Sequence, residues 1–188
     1  RAGHRRALGD AAGAREAADE ALRRDPDDAE AANARGLAAL ALEAPEDAIA
    51  YFELAAEIEP NEAWYANNLG YTAMLVGELD LAVESLEEAT KQDPPSALML
   101  NNLGAAYEAT GRLKEARVAY VQAIRVAERI FGDTILNSKR AKGGPGELSI
   151  VSPKIRSNLA RIERLEEGEL RVMAVAEAAV APDAELED

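Results

Sequence analysis

The chain has no cysteine among its 188 residues and a single histidine, His4. Without cysteine there is no disulfide, no thiol nucleophile and no thiolate-held metal. With one histidine near the start of the chain, no serine–histidine–acid relay can be assembled. Aromatic residues make up 4% of the chain against 48% hydrophobic residues in all, so the core must be mostly alanine and leucine. That composition suits closely packed helices and forms strands poorly. No run of 18 apolar residues is present to span a bilayer. The glycine cluster Gly143-Gly144-Pro145-Gly146 lacks phosphate-loop spacing. Carboxylates are plentiful, but Glu87-Glu88 and Glu166-Glu167 read as solvated helix faces, and no group has metal-ligand spacing. We therefore expect no enzyme activity, no catalytic residue, no metal and no cofactor.

Positive charge is scarce between residues 29 and 96. Residues 29–62 hold one arginine against eight acids, and residues 63–96 one lysine against six. Residues 97–168 reverse the balance, with twelve bases against eight acids. Residues 169–188 return to one arginine against six acids, within a net charge of -14 for the whole chain. Phosphate binding needs a basic stripe, so nucleic acid is not the expected partner. The short run Lys139-Arg140-Ala141-Lys142 reads as a solvated loop. Arginine exceeding lysine, with abundant alanine, points to a bacterial source. Cysteine-free chains occur on both sides of a membrane, which leaves cytoplasm and periplasm equally open. The chain opens on Arg1 rather than methionine, as a mature or trimmed fragment does, and any signal or lipid anchor would then lie upstream.

What the chain has in quantity is repetition. Gly36, Gly70 and Gly104 are 34 residues apart. Ala48, Ala82 and Ala116 keep that step, as do Ala55, Ala89 and Ala123, and Pro26, Pro60 and Pro94. Each period reads as two helices and two turns. In one unit, Ala63 to Leu75 is followed by a break at Gly77-Glu78, then by a run from Leu79 to Lys91. In the next, Ala97 to Thr110 precedes a turn at Gly111-Arg112 and a helix from Leu113. In the unit before, the turn falls at Ala44-Pro45-Glu46. A mid-helix glycine costs about 1 kcal/mol against alanine. Its recurrence at a fixed step implies a partner helix too close for a Cβ. Phe52, Leu86 and Tyr120 form the matching column of large residues.

These columns resemble the tetratricopeptide repeat. One unit supplies Leu100, Leu103-Gly104, Tyr107, Ala116, Tyr120 and Ala123; another Ala66, Leu69-Gly70, Ala73, Ala82, Leu86, Ala89 and Pro94. A third supplies Gly36, Ala48, Phe52, Ala55 and Pro60, with Arg35 where leucine is usual. A partial first unit has Ala14, Ala18, Ala21 and Pro26, with Gly9-Asp10 as its turn. The resemblance implies an all-α, right-handed α-solenoid of stacked antiparallel helix pairs. We divide it into a partial repeat at 1–28 and repeats at 29–62, 63–96 and 97–130. Gly132-Asp133 is expected to end the last repeat helix, and 131–152 to be a loop. Residues 153–168 are expected as a capping helix or degenerate repeat, opened by Ser152-Pro153 and striped with Ile155, Leu159, Ile162 and Leu165. The acidic tail 169–188 is expected to be helical as far as about 180.

The resemblance also implies a function: holding another protein on the concave face lined by the first helix of each pair. The candidate peptide-binding residues are Asn33, Leu37, Trp64, Asn67, Asn68, Tyr71, Met74, Leu98, Asn101 and Asn102. Asparagine is a poor mid-helix residue, but its amide both donates and accepts. Ladders of asparagine in related superhelices hold the backbone of an extended peptide. The same amides could instead bond between neighbouring helices and set the curvature of the stack. Trp64 and Tyr71 are the candidate anchors. Relatives that capture acidic chaperone tails use a basic clamp, whereas these columns hold no lysine, so a neutral or basic segment is the expected partner. The expectation is thus an adaptor or scaffold. The alternative is a structural or assembly subunit of a larger complex, such as one in a bacterial cell envelope, docked through its edges, loop and tail.

Overall fold

The computed structural model describes residues 2–91, 95–138 and 153–168, with 2–9 and 130–138 described by their backbone alone. The helices are α1 (Ala2–Arg24), α2 (Ala29–Ala41), α3 (Pro45–Ile58), α4 (Ala63–Val76), α5 (Leu79–Ala89), α6 (Ala97–Ala109), α7 (Leu113–Ser138) and α8 (residues 153–168). There is no strand among the described residues. Helices α2/α3, α4/α5 and α6/α7 pair, and the pairs stack in chain order with α1 against α2. At the other end Ile155 and Ile162 of α8 join Leu100, Ala116, Tyr120 and Ala123 in one buried cluster. This is the α-solenoid that the 34-residue step predicts.

Local chemistry repeats at the same step. Asp28, Glu62 and Ser96 each cap the first helix of a pair, accepting from the backbone N–H of Ala31, Trp64 and Leu98. Pro45 opens α3, where its missing N–H costs nothing. Each first helix then turns through a residue with a left-handed backbone: Glu43 at φ 60°, Gly77 at 84° and Gly111 at 75°. The following N–H closes the turn on the carbonyl five residues back, from Ala44 to Ala39, Glu78 to Ala73 and Arg112 to Tyr107. Glu43 is the odd member, because a Cβ is strained at positive φ. Glu43→Gly should therefore stabilise the fold by about 1 kcal/mol, whereas Glu43→Ala should not. Denaturation midpoints of the two variants check this, and no gain for glycine would refute it.

The glycine columns have the packing role inferred for them. A Cβ on Gly36 would stand 2.6 Å from the Phe52 ring, and one on Gly104 2.6 Å from the Tyr120 ring. At Gly70 it would meet the Leu86 Cγ at 2.6 Å and the Ala82 carbonyl oxygen at 2.9 Å. Each unit thus seats one large side chain of its second helix in a hole left by glycine on its first. Phe52, Leu86 and Tyr120 are fully buried, as are Ala48, Ala82, Ala116, Ala55, Ala89 and Ala123.

Two expectations change. Gly9-Asp10 is not a turn, since α1 runs unbroken from Ala2 to Arg24. One glycine costs too little to break a helix of that length. Ala14 of α1 is exposed, although its counterparts in later units are buried. Gly132-Asp133 does not end α7, which continues to Ser138, so the loop expected from 131 begins no earlier than 139. Arg35 is a packing residue: its guanidinium bonds Asp19 of α1 at 2.7 Å and lies 4.5 Å from the centre of the Tyr51 ring. Pro94, the rest of the segment expected as a loop (139–152) with its glycine cluster and Lys139-Arg140-Ala141-Lys142 run, and the tail 169–188 lie outside the described residues.

Candidate functional site

Helices α2, α4 and α6 each expose a comparable face. One column on it holds Glu30, Trp64 and Leu98, and another, seven residues further along each helix, holds Leu37, Tyr71 and Ala105. Leu37, Trp64, Tyr71 and Leu98 are 40–48% exposed, unusual for large apolar side chains in a chain so poor in aromatics. They stand out because the packing columns beside them are occupied by glycine and alanine.

Between these two columns runs a line of amides. Asn68 donates to Asn33 at 2.8 Å, Asn102 to Asn67 at 3.0 Å, and Asn158 of α8 to Asn101 at 3.0 Å. A longer contact of 3.5 Å from Asn67 to Asn68 joins the first two links. The same bond therefore crosses each boundary from α2 to α4, α4 to α6 and α6 to α8. Asn67 and Asn101 are buried, while Asn33, Asn68, Asn102 and Asn158 are half-buried. These amides thus bond between neighbouring helices.

Asn67, Asn68, Tyr71, Leu98, Asn101 and Asn102 line one concavity of about 370 Å³ between α4, α6 and α8. Six of the ten candidate residues thus meet in one place. Lys154 and Ile155 of α8 complete its wall, so the face does carry one lysine, contrary to the reading of the repeat columns alone. Lys154 lies beyond the last full repeat, where column comparison has nothing to align. Its signal was the helix start at Ser152-Pro153. Asn33, Leu37 and Trp64 are outside that concavity on the same face. Met74 is placed differently. It is half-buried and packs on the cluster of Ala73, Leu86 and Leu103.

Glu108, which occupies the Met74 column one unit later, explains that placement. It accepts two bonds from the Arg161 guanidinium, both at 2.6 Å, and one from the Tyr120 hydroxyl at 3.0 Å. This column therefore meets the next unit instead of the open face. The Arg161 bonds hold the Glu108 carboxyl below its ordinary value, against the opposing effect of burial. Burial, then the Glu108 charge and bond, push the Tyr120 hydroxyl well above the usual range. On the other side of the stack, Tyr107 donates to Glu87 at 2.8 Å and lies under the Arg112 guanidinium. Burial first, then Glu87, push its hydroxyl up to about 12. Among the described residues no acidic or histidine group is arranged to hold a metal ion, and no helix is long and apolar enough to cross a membrane. His4 lies in the backbone-only part of α1, far along the chain from the amide line.

Comparison with known proteins gives one consistent result. Three family models, each described as tetratricopeptide repeat, match residues 2–63, 65–96 and 96–134. No curated protein sequence matches the chain. Among solved structures the chain resembles MamA, with a TM-score of 0.59 at 20% identity over 88% of this chain and 94% of that one. It also resembles a thermophilic tetratricopeptide-repeat protein of Thermus thermophilus, with a TM-score of 0.59 at 22% identity over 81% and 75%. The tetratricopeptide-repeat domain of Sgt2 from Aspergillus fumigatus gives 0.54 at 21% identity over 85% and 89%. At such identities these likenesses concern the path of the chain alone.

Proposed function

The chain belongs to the tetratricopeptide-repeat family, a family of protein–protein interaction modules, and from that premise we propose that it is a non-catalytic adaptor or scaffold. It holds an extended segment of another protein along the face formed by α2, α4 and α6. The observation that carries this reading is the exposure of Trp64, Tyr71, Leu37 and Leu98 in two columns beside the amide line. Exposed aromatics in a concave site supply much of the contact energy in such complexes. Asn68 and Asn102 keep hydrogen-bonding capacity beyond their bridging bonds and can meet the backbone of the segment. Asn67 and Asn101 are too buried to be its main contacts and act through their neighbours. The segment is neutral or basic where it crosses the acidic units 29–96, and neutral where it passes Lys154.

The test is capture from the native host by a photoreactive residue placed at Trp64 in the full chain. A defined protein should crosslink there. Trp64→Ala with Tyr71→Ala should cut recovery of that protein by about 30-fold or more. Denaturation of the double variant should shift by less than about 0.5 kcal/mol, as for exposed sites. Asn67→Ala should behave differently. It removes the acceptor of Asn102 and should cost about 1–3 kcal/mol of stability. Undiminished recovery with both aromatics removed would overturn the reading.

A further inference from the structure

The outer face of α7 departs from its counterpart one unit earlier, and the departure has a direction. In α5, Asp80, Glu84, Glu87 and Glu88 are all exposed, forming an acidic face. The positions 34 residues on are Lys114, Val118, Val121 and Gln122. Every acid has gone, and the centre of the face has become apolar. Val118 is 53% exposed, whereas the alanine at that column in α3 is far smaller. Arg117 stands where α5 has the buried Val83, and Arg125 follows two turns later. Arg117, Val118, Val121, Gln122 and Arg125 line a shallow concavity of about 240 Å³. Arg125 makes no ion pair among the described residues.

We infer that this face is covered by residues 169–188 of the same chain. Three observations select that occupant. First, α8 delivers the chain there: Glu166, two residues before its end, contacts Arg117 at 3.5 Å. Second, the charge is complementary. Residues 169–188 carry six acids and one arginine, opposite a face where Arg117 and Arg125 stand and the four acids of the α5 counterpart are replaced, Glu115 at its start being paired with Arg112. Third, that segment has apolar residues to match Val118 and Val121, in Leu170, Val172, Met173 and Val175. Twenty residues are ample to run back along the exposed part of α7. Covering the outer face leaves the α2–α4–α6 face free, so the inference stands independently of the function proposed above.

The absence of native cysteine makes the test direct. Pairs of cysteines are placed in the full chain and equilibrated in a glutathione buffer, and disulfide formation is read by mass. Val118→Cys with Val175→Cys should close within one chain. Its effective concentration should exceed that of Glu84→Cys with Val175→Cys, on the equivalent acidic face, by about tenfold or more. Tyr71→Cys with Val175→Cys should stay as low as the Glu84 control. Arg117→Glu with Arg125→Glu, added to the first pair, should lower it by about fivefold. Val118 is exposed, and unchanged far-UV dichroism confirms that each variant is folded. Closure at Tyr71 would put the tail in the groove, and closure only between two chains would make the occupant a second copy. Either result, or equal closure at Val118 and Glu84, overturns the inference.

Discussion

Gly70→Ala should lower the stability of the protein by about 1–3 kcal/mol, although alanine is the better helix former. The added methyl would lie 2.6 Å from the Leu86 Cγ and 2.9 Å from the Ala82 carbonyl oxygen. The side chain could turn aside, but the backbone of α5 could move only by separating the pair. Leu86 and Ala82 are both fully buried, which leaves no free volume to absorb the shift. Gly13→Ala is the control, because a Cβ there meets nothing within 4 Å. It should raise stability by about 0.5–1 kcal/mol. One chemical change with opposite signs at two helical glycines is a stringent test by thermal or denaturant midpoint. If Gly70→Ala matched Gly13→Ala in sign, the close approach of paired helices would not be what holds glycine in this column.

Tyr120→Ala should cost about 3–5 kcal/mol, a greater loss than that of Gly70→Ala or Asn67→Ala. The ring is fully buried in the Gly104 hole, and it also reaches Ile155 and Ile162 through their shared cluster. Removing it therefore empties the last repeat and loosens α8 together. Tyr120→Phe keeps the packing and loses the bond to Glu108, for about 1–2 kcal/mol. The two changes separate by pH. The raised Tyr120 value means that the folded state holds its proton more tightly than the unfolded state. Its contribution is complete below pH 10, the ordinary tyrosine value, and is lost as pH rises beyond it. Glu108 works at the other end. Its lowered value gives a contribution present above 4.5 and lost as pH falls below that. Stability against pH should thus fall at both extremes. In Tyr120→Phe the alkaline fall should shrink to the part owed to the other groups whose values the fold raises, Tyr107, whose hydroxyl is pushed up to about 12, Tyr65 and Lys91. An unchanged alkaline limb would show that the hydroxyl does not sense the fold.

The repeat core was readable because packing constraints recur. A hole and a knob must face each other in every unit, so Gly36, Gly70 and Gly104 announce Phe52, Leu86 and Tyr120. The exposed columns were readable for the same reason, since once the buried positions are assigned the remaining faces follow from helical geometry. What recurs can be read, and what occurs once is harder to see. Glu43 has nothing in its identity to reveal a left-handed backbone; only its register with Gly77 and Gly111 does. Lys154 joined the concavity from a helix with no full unit to align against. Gly9, which is in register with Glu43, Gly77 and Gly111, and Gly132, which keeps no such step, look like breaks, yet isolated glycines in long helices are tolerated. The amides presented a different difficulty. A donor-acceptor side chain serves a neighbour or a ligand equally well, and only the distances from Asn68 to Asn33 and from Asn102 to Asn67 reveal the bonds to neighbours.

Those amide links join one unit to the next at the surface where a partner would lie. A stack whose helices touch only their neighbours behaves as a spring, and its pitch is set joint by joint. Each asparagine bridge is a stay across one joint, so flexing the coil must lengthen or relax several of them at once. A guest that tightened or opened the coil would be felt from α2 through to α8, giving a passive array a means of reporting occupancy along its length.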